Sequence, residues 1–533
     1  MKISIVRNRI QLSELSRDNR KKARKIYGAT SNKQGLSFPL EPLVLRYLKE
    51  LFPLVEICPV LEDILYLAQE QVAKSVQVKK HLEDGCILSL KKNQYRALRF
   101  FDHFKRIILA DDRGLGKTRT ALESMVHINA KKILVVVPGY LKPNWYREMQ
   151  KWIPERKFFI IKGEKEQREK QLQSAMKEKE CFIVINYEML QSRNDVRRFP
   201  ILFSIKWDGV IFDEAHRLKN PHANLVDGAK KLKFDTCIMS TGTPISGSPE
   251  HIWQLLNILY PRRFTSYWAF VEYFCNVFES FFCKEIKGVN KSHLDELQWI
   301  LQPIMIRSEK YGLPEKIRHT VYIEMDKSHK VAYQRAKKFR IVKEDGFEEV
   351  IESKLERIIR FQQIVANPAI LGGKDYSVIE NTSLELIRDI GEKTIVGTVF
   401  IKAAQLLEAK LKKAGFETFL VTGSTKDRDG VVEAFKRSKK GVLVGNIQAM
   451  AEGLSIDECD YIIFSDRTWM PHVNQQFEDR IHRMTSTRNK HYYDLLVPRT
   501  ISEMKYNALL EKEECMEDVL NDKKLVDYLN ENL

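Results

Sequence analysis

The sequence has no apolar run long enough to cross a membrane. Hydrophobic residues make up 44% of its 533 residues, yet no window approaches the ~20 consecutive apolar residues that a membrane helix needs. Residues 1–25, MKISIVRNRIQLSELSRDNRKKARK, also lack the uninterrupted apolar segment of a secretory signal. These absences exclude an integral membrane protein and predict a soluble protein that stays inside the cell.

Cysteine is sparse and irregularly spaced. None of the eight cysteines stands in a CxxC pair, which argues against a zinc ribbon and against a disulfide framework. Their scatter is typical of reduced, packed thiols in an intracellular protein. The cysteines are Cys58, Cys86, Cys181, Cys237, Cys275, Cys283, Cys459 and Cys515.

What the sequence has in excess is positive charge. Lys and Arg number 88 against 71 Asp and Glu, which gives a formal net charge of +17. Such an excess favours association with a polyanion such as nucleic acid. Charge alone also leaves open a basic protein that has no such partner.

Two series of short apolar runs predict the fold. The runs are rich in β-branched residues and are separated by amphipathic segments, which indicates parallel sheets covered by helices on both faces. The sequence therefore predicts an α/β fold with two lobes. The first series is 131–137, 181–185, 209–212 and 237–239, and the second is 394–400, 417–421, 441–444 and 461–464.

The regions around the two series set the predicted domain boundaries. The segment after lobe 1 is dense in aromatic and then in charged residues, which is typical of helices packed outside a sheet. The predicted domains are an N-terminal accessory domain at 1–85, lobe 1 at 86–261, helical insertions and an interlobe linker at 262–360, lobe 2 at 361–505 and a helical tail at 506–533.

The stretch DDRGLGKT, residues 111–118, lies between an apolar run and a helical pattern. Phosphate loops of the form GxxxxGK[ST] occupy this position, although here Asp111 stands where the first glycine is usual. Gly114 and Gly116 allow the backbone to approach phosphates, Lys117 can neutralise the β and γ phosphates, and the Thr118 hydroxyl can bind magnesium. The stretch predicts a nucleotide site, and a glycine-rich turn with a solvated lysine is the alternative.

A pair of carboxylates follows a later strand. In WDGVIFDEAHRLKN the apolar run ends at Asp213 and Glu214, at the carboxyl end of a strand, where ligands of α/β sheets bind. Asp213 is suited to the magnesium shell and Glu214 to polarising the attacking water. The pair alone could be a helix cap, but together with the loop it predicts ATP hydrolysis.

A third motif, QQFEDRIHRM, offers cations for the γ-phosphate. Gln476, Asp479, Arg480 and Arg483 fall at helical spacing, so both guanidinium groups are predicted on one helix face. An inserted arginine accelerates phosphoryl transfer by ~10³–10⁵. A solvated helix surface is the alternative.

In order and spacing these segments resemble the Swi/Snf-type ATPases of helicase superfamily two, from about Leu90 to Leu496. LKKNQYRALRFF is similar to the segment that recognises adenine, with Gln94 reading the base. ADDRGLGKT is similar to the first motif, ADEMGLGKT, in which Asp at position 111 is usual. DEAHRLKN forms a DEAH box, and TGTPISGSPEHIW, GNIQAMAEGLSID and the arginine motif follow in the family's order.

The resemblance implies two RecA-like lobes with helical insertions, and it implies ATP and Mg²⁺ as cofactors and double-stranded DNA as partner. Thr118 and Asp213 would hold Mg²⁺, Thr241, Gly242 and Thr243 would couple hydrolysis to lobe movement, and catalysis would fall to Lys117, Asp213, Glu214, Arg480 and Arg483. The implied nucleotide-binding residues are Gln94, Asp112, Gly114, Leu115, Gly116, Lys117, Thr118 and Gly453.

The implied function is ATP-driven translocation on duplex DNA, with remodelling of DNA or protein–DNA complexes in repair, recombination, replication or transcription. The chain is expected to be a monomer when free. It is expected in the cytoplasm if its source is bacterial, phage or viral, and in the nucleus if the source is eukaryotic.

Several positions depart from the family pattern. Arg113 stands where Met is usual, and nothing in the sequence explains this substitution. None of the other departures removes a group assigned to magnesium, water or the γ-phosphate, so they bear on coupling rather than on hydrolysis. They are Gly247 for Asn, Ser308 for Arg, Met470 for Asn, and Thr485 with Ser486 for Gly and Gln.

Three other functions remain open from the sequence. One is an RNA or single-strand helicase of the same superfamily. The segments NWYREMQKW and IMIRSEKYGLPEKI favour the duplex-DNA branch instead. Another is a non-catalytic nucleic-acid clamp, which the complete set of chemical groups argues against. The last is a motor subunit that serves a nuclease or methylase on another chain.

Overall fold

The computed structural model describes most of the chain. It divides into two compact units, the first comprising Met1–Glu309 with Glu514–Leu533 and the second Lys310–Glu513. The described residues are 2–6, 9–13, 16–24, 26, 29–32, 35–39, 42–52, 56–57, 66–75, 90–193, 196–197, 199–220, 224–245, 249–279, 284–309, 313–339, 341–344, 347–350, 354–373, 375, 377–451, 456, 458–483 and 486–520.

The first unit begins with a five-stranded sheet. Its strands are β1 (Lys2–Val6), β2 (Arg9–Ser13), β3 (Thr30–Asn32), β4 (Gly35–Pro39) and β5 (Glu56–Ile57), in the spatial order β3, β4, β2, β1, β5. The β1–β5 pair is parallel and the other pairs are antiparallel. The accompanying helices are α1 (Arg17–Ala23), α2 (Pro42–Leu51) and helical residues 66–75, α3.

Strands and helices then alternate up to residue 309. The strands are β6 (Arg106–Leu109), β7 (Lys132–Val137), β8 (Phe158–Ile160), β9 (Cys181–Asn186), β10 (Ser192–Arg193), β11 (Val196–Arg197), β12 (Lys206–Asp213), β13 (Lys233–Ser240), β14 (Cys275–Glu279), β15 (Lys284–Val289) and β16 (Met305–Ile306). The helices are α4 (Lys92–Phe104), α5 (Lys117–His127), α6 (Lys142–Trp152), α7 (Lys165–Lys177), α8 (Ile201–Ser204), α9 (Asn224–Lys231), α10 (Glu250–Leu259), α11 (Tyr267–Phe274) and α12 (Leu294–Leu301).

Seven of these strands form one parallel sheet in the order β16, β6, β13, β12, β7, β9, β8. Along β7, Leu134 and Val136 pack into one hydrophobic core while Ile133, Val135 and Val137 pack into another. Because side chains alternate across a strand, the sheet is covered on both faces.

The second unit repeats this plan with six parallel strands. Its sheet has the order β17, β24, β23, β20, β22, β21. The strands are β17 (Lys316–Tyr322), β18 (Ile341–Glu344), β19 (Phe347–Val350), β20 (Thr394–Thr398), β21 (Thr418–Val421), β22 (Val442–Asn446), β23 (Tyr461–Phe464) and β24 (Lys490–Leu496). The helices are α13 (Lys327–Phe339), α14 (Lys354–Ala366), α15 (Val378–Ile390), α16 (Ile401–Lys413), α17 (Arg428–Arg437), α18 (Ile447–Met450), α19 (Pro471–Glu478) and α20 (Ile501–Leu520).

The predicted fold class is confirmed, since each unit contains a parallel sheet flanked by helices. Every apolar run of the two predicted series coincides with a strand. The segment 262–360 differs from its helical prediction because it contributes β16 to the first sheet and β17 to the second, and it also contains the hairpin β14–β15. These strands pair with partners distant in sequence, which local patterns do not reveal.

The described residues can be compared with two expectations from the sequence, which concern membrane-spanning helices and disulfide bonds. No described helix is long and apolar enough to span a lipid bilayer. The cysteines Cys181, Cys237, Cys275 and Cys459 are free and buried.

Candidate nucleotide site and arginine motif

The phosphate loop connects β6 to α5. Gly114 and Gly116 have φ angles of 82° and 84°, in the left-handed region that glycine adopts without a steric penalty. Gly116 is the N-cap of α5, so the free backbone N–H groups of the first helical turn, which includes Thr118, begin directly after the loop. The Lys117 Nζ atom donates to the carbonyl oxygens of Asp111 at 2.7 Å and Asp112 at 3.2 Å. The sequence thus folds into the loop that the motif predicts.

The outer edge of the loop is held by residues 304–308. The backbone N–H of Ala110 donates to Ile306 O at 2.8 Å, and that of Asp112 donates to Ser308 O at 2.9 Å. Arg307 also lies 3.6 Å from the Asp112 carboxylate. The β16 segment therefore fixes the path of the loop through its backbone.

Asp111 and Ser308 belong to one buried polar cluster. Asp111 has no exposed surface, its Oδ2 accepts from Asn93 at 3.3 Å, and burial raises the pKa of its carboxyl group. Arg96 Nη2 donates to Ser308 Oγ at 2.7 Å and to Arg307 O at 2.5 Å. A guanidinium from α4 therefore contacts the side chain of residue 308, where the family usually has an arginine.

Gln94 packs against the phosphate loop. Its Nε2 donates to Leu115 O at 3.5 Å and to Gly116 O at 3.4 Å, while its Oε1 accepts from Lys91 N at 3.0 Å. A Cβ atom on Gly116 would lie only 2.3 Å from Gln94 Nε2, so the close approach of the amide requires glycine. The predicted base-reading residue and the loop are thus in direct contact, and base reading itself stays a prediction.

Asp213 is fixed by three hydrogen bonds at the end of β12. Trp145 Nε1 donates to Asp213 Oδ2 at 2.7 Å, Glu214 N donates to Oδ1 at 3.1 Å, and Tyr187 Oη donates to the Asp213 carbonyl at 2.8 Å. Burial and the adjacent Glu214 raise the pKa of Asp213. Neither Trp145 nor Tyr187 was identified as a site residue from the sequence. Trp145 lies in the segment NWYREMQKW, and Tyr187 directly follows β9 in FIVINYEML, and neither segment was assigned to the nucleotide site from the sequence.

Glu214 is linked through His216 to the motif after β13. Glu214 has φ 50° and ψ 49°, a conformation that costs a non-glycine residue ~1–3 kcal/mol and is concentrated at functional sites. His216 Nδ1 lies 3.1 Å from Glu214 Oε2 and 3.4 Å from Thr241 Oγ1, which in turn accepts from Thr243 N at 3.1 Å. Polar contacts therefore run from the predicted water-activating carboxylate to the predicted coupling motif.

The charges around Glu214 favour its ionised form. Burial would raise the pKa of Glu214, but the contact with His216 and the nearby Arg113 and Lys117 outweigh it and lower that pKa. Burial lowers the pKa of Lys117, and the surrounding carboxylates oppose this shift. The carboxylate and the ammonium group, both half-buried, thus interact within one site.

The site brings together the ends of three adjacent strands. The loop follows β6, Asp213 ends β12, and Thr241 follows β13, which lies between them in the sheet. Thr241 N also donates to Leu109 O at 3.1 Å. A hydroxyl from Thr118 and a carboxylate from Asp213 are oxygen donors of the kind that Mg²⁺ prefers. No group of three or more His, Cys, Asp or Glu that could bind a metal occurs in the described ranges, so an ion here would need substrate phosphates as further ligands.

Arg480 and Arg483 lie beyond the end of a helix in the second unit. The predicted helical spacing is wrong here, because α19 ends at Glu478 and Asp479 is its C-cap. The chain turns away where Arg480 O accepts from Ile456 N at 3.1 Å. The Arg480 side chain donates to Ala451 O at 2.6 Å and to Gln476 O at 3.1 Å, and Arg483 N donates to Ser486 Oγ at 3.0 Å. The single helix face that would present both side chains is therefore absent.

Glu478, which the sequence did not single out, is the centre of a buried ionic cluster. Arg318 donates to its two oxygens at 2.8 and 3.0 Å, Arg467 donates at 3.1 Å and Lys316 at 3.3 Å. Glu478 is fully buried, and these three cations overcome the effect of burial and hold its pKa far below the usual range. The cluster joins β17, the arginine motif and, through the Arg467–Asp494 ion pair, β24.

Six residues named from the sequence lie outside the described residues. They are Gly453, which was predicted to contact the nucleotide, the departures Gly247 and Thr485, and the cysteines Cys58, Cys86 and Cys283.

Comparison with known proteins gives two domain matches. Residues 67–370 match the SNF2-related domain, and residues 379–485 match the helicase conserved C-terminal domain. Together these matches cover all predicted motifs of the nucleotide site and the region that resembles the family apart from residues 371–378 and 486–496.

The curated relatives include bacterial and eukaryotic proteins. An uncharacterized ATP-dependent helicase of Mycoplasma genitalium, MG018, is 25% identical over 506 residues, covering 88% of this chain and 46% of the relative. The ATP-dependent DNA helicase DDM1 of Arabidopsis thaliana is 27% identical, with coverages of 74% and 56%. The SWI/SNF chromatin-remodeling complex subunit snf22 of Schizosaccharomyces pombe is 26% identical, with coverages of 74% and 26%. The chain thus spans between about a quarter and just over half of the length of these relatives.

Among solved structures, the Sulfolobus solfataricus SWI2/SNF2 ATPase core in complex with dsDNA is 23% identical. It covers 85% of this chain, with a TM-score of 0.38.

Proposed function

The chain belongs to the SNF2-related family, and we propose that it is an ATP-dependent motor that translocates on double-stranded DNA. The observation that carries this proposal is the convergence of Lys117, Asp213 and Glu214 beyond the ends of β6 and β12, the two strands that flank β13 in one sheet. Two of the relatives are named as ATP-dependent helicases and one as a chromatin-remodeling subunit.

In this proposal, different residues of the first unit bind the phosphates, activate water and hold Mg²⁺ during ATP hydrolysis. The Lys117 ammonium group and the backbone N–H groups at the start of α5 bind the phosphates of ATP. Glu214 orients the attacking water and accepts its proton. Bound Mg²⁺ would neutralise phosphate charge, and Thr118 and Asp213 would hold it. Trp145 and Tyr187 keep Asp213 in place for this role.

The second unit is proposed to supply the arginine fingers. Arg480 and Arg483 would stabilise the charge that develops on the γ-phosphate. Hydrolysis would then depend on a change in the arrangement of the two units, and the contacts from Glu214 through His216 to Thr241 and Thr243 are a route by which the chemical step is transmitted.

The excess of positive charge supports a nucleic-acid track. Phosphate contacts bind DNA without reading its sequence, as a translocating motor requires. We propose duplex DNA rather than RNA or a single strand, acting in repair, recombination, replication or transcription. The chain would act as a cytoplasmic monomer, or in the nucleus of a eukaryote. Service as the motor subunit of a larger DNA-processing assembly is compatible with the same chemistry.

The decisive experiment measures ATP hydrolysis with linear duplex, forked duplex, single-stranded DNA and RNA. We expect duplex DNA to stimulate hydrolysis most, and we expect wild type but not Lys117→Ala to displace a triplex-forming strand from duplex DNA. Duplex binding should weaken ~10³-fold or more between 50 and 200 mM salt if about six phosphates are contacted. Hydrolysis that no DNA stimulates would overturn the motor proposal, and stimulation by RNA alone would favour the RNA helicase.

A further inference from the structure

A second cation of the first unit faces the same space as Lys117. A Cβ atom built on Gly242 would lie 3.2 Å from Arg113 Cγ, 3.6 Å from Arg113 Nε and 3.6 Å from Lys117 Nζ. Gly242 therefore leaves open a small space beside its backbone, and the guanidinium of Arg113 and the ammonium group of Lys117 both border it. Arg113 is half-buried there and does not extend into solvent.

This space lies next to the predicted hydrolytic carboxylate. Gly242 follows Thr241, whose hydroxyl lies 3.4 Å from the same His216 that contacts Glu214. Arg113, Lys117 and Glu214 are thus three charged groups around one part of the phosphate site.

We propose that Arg113 contacts the γ-phosphate of bound ATP together with Lys117, so that the phosphate loop carries a catalytic arginine of its own. This assignment rests on the proposed ATP hydrolysis and goes beyond it. A guanidinium has several N–H donors in a fixed plane and binds phosphate oxygens in pairs, whereas the methionine usual at this position has no such donor.

The role of Arg113 in the reaction is electrostatic. Water adds to the γ-phosphorus while the bond to the β–γ bridging oxygen breaks, and ADP leaves with the electron pair of that bond. The proton of the water passes to Glu214 and then to solvent. Arg113 neutralises charge on the γ-phosphate oxygens and exchanges no proton. Because ADP lacks the γ-phosphate, Arg113 should distinguish ATP from ADP.

The test compares three variants with wild type. Arg113→Met installs the residue usual in the family, Arg113→Lys keeps a positive charge, and Arg262→Met removes an exposed arginine that follows α10 in the same unit. The measurements are the duplex-stimulated kcat, the affinities for ADP and for a non-hydrolysable ATP analogue, and the unfolding temperature of each variant.

For Arg113→Met we expect kcat to fall by about tenfold or more and the affinity for the ATP analogue to fall by about tenfold, the loss expected for one charged hydrogen bond. ADP affinity and the unfolding temperature should stay unchanged. Arg113→Lys should be intermediate, and Arg262→Met should match wild type.

Two results would overturn the assignment and leave the proposed function standing. If Arg113→Met hydrolyses ATP as fast as wild type, Arg113 is not catalytic. If kcat falls while the affinities for the ATP analogue and ADP stay equal to those of wild type, Arg113 only positions Glu214. Failure of the wild-type protein to hydrolyse ATP would instead refute the proposed function itself.

Discussion

The two units share a parallel sheet flanked by helices, yet they hold their buried charges differently. In the second unit Glu478 is surrounded by Lys316, Arg318 and Arg467, so a buried anion is fully matched by cations of the same unit. In the first unit Asp213 is held mainly by neutral donors, and within the part of the chain that the structure describes Lys117 donates to two carbonyl oxygens of its own loop.

We interpret this difference as one between charges that maintain the fold and charges that are proposed to bind the ligand. A buried ion pair is destabilising to break, because the remaining partner is left as an uncompensated charge. A site that binds phosphates and a divalent cation instead needs charged groups whose strongest partners are supplied by the ligand. We therefore expect substitutions in the first set to change activity and substitutions in the second to change stability.

The largest effect is expected from Glu214→Gln. The amide cannot accept a proton from water, so duplex-stimulated hydrolysis should fall by ~10²–10⁴, while the unfolding temperature stays near that of wild type. Steady-state hydrolysis and thermal unfolding measure the two quantities. Glu166→Gln, on the exposed side of α7, is the control. An equal loss in both variants, or a lowered unfolding temperature for Glu214→Gln, would contradict the comparison.

Glu478→Gln should act mainly on stability. The substitution leaves the buried Arg467 and the more exposed Lys316 and Arg318 beside a neutral amide, and we expect the free energy of unfolding of the second unit to fall by about 3 kcal/mol. Denaturant unfolding followed by circular dichroism would show this as an earlier transition. Glu433→Gln removes the exposed ion pair with Lys436 in the same unit and should cost less than about 1 kcal/mol. Equal costs for the two variants would show that the buried cluster is not structural.

Trp145→Phe should reduce activity less severely. The variant keeps an aromatic ring but loses the hydrogen bond to Asp213, a loss of about 1.5–3 kcal/mol for a charged acceptor. We expect a higher Mg²⁺ concentration for half-maximal hydrolysis, because the carboxylate is no longer oriented. Trp152→Phe is a matched control, since Trp152 Nε1 also donates to a carboxylate, Glu148, at 2.8 Å on the same helix. A shift in Mg²⁺ dependence common to both variants would count against a specific role for Trp145.

The smallest effect concerns Glu250, at the start of α10. Burial raises its pKa from 4.5 to about 7, so the folded state binds this proton more tightly than the unfolded state does. Stability from this group is complete below pH ~4.5 and is lost as the pH rises to about 7. Glu250→Gln should leave the free energy of unfolding unchanged at pH 4.5 and raise it by about 1–3 kcal/mol at pH 8. Unfolding temperatures measured at the two pH values would show this difference. A gain of the same size at both pH values would disprove the titration of Glu250.

Much of this molecule could be predicted from local sequence. The apolar runs became the central strands, because a strand buried on both faces must be apolar throughout. The phosphate loop and the two carboxylates were also evident, since their chemistry fixes the residue types and their neighbours. The family resemblance is confirmed by the match to the SNF2-related domain over residues 67–370.

What the sequence missed depends on contacts between distant segments. Trp145 reaches Asp213 from 68 positions away, and Arg96 reaches Ser308 from 212 positions away. The end of α19 before Arg480 was missed for the same reason, because Ile456 binds the carbonyl that a longer helix would use. Such partners leave no local periodicity, and only the folded chain brings them together.

The position of β16 late in the first unit determines when the phosphate loop acquires its backbone contacts during protein synthesis. Arg96 on α4 and the loop residues Ala110 and Asp112 leave the ribosome long before residues 304–308 that bind them. Bringing two segments together over such a sequence separation costs little more conformational entropy than over a shorter one. The contacts cannot form, however, until residues 304–308 have been translated. The nucleotide site is therefore among the last parts of the first unit to be completed, and a nascent chain released before residue 308 would have a phosphate loop without its outer support.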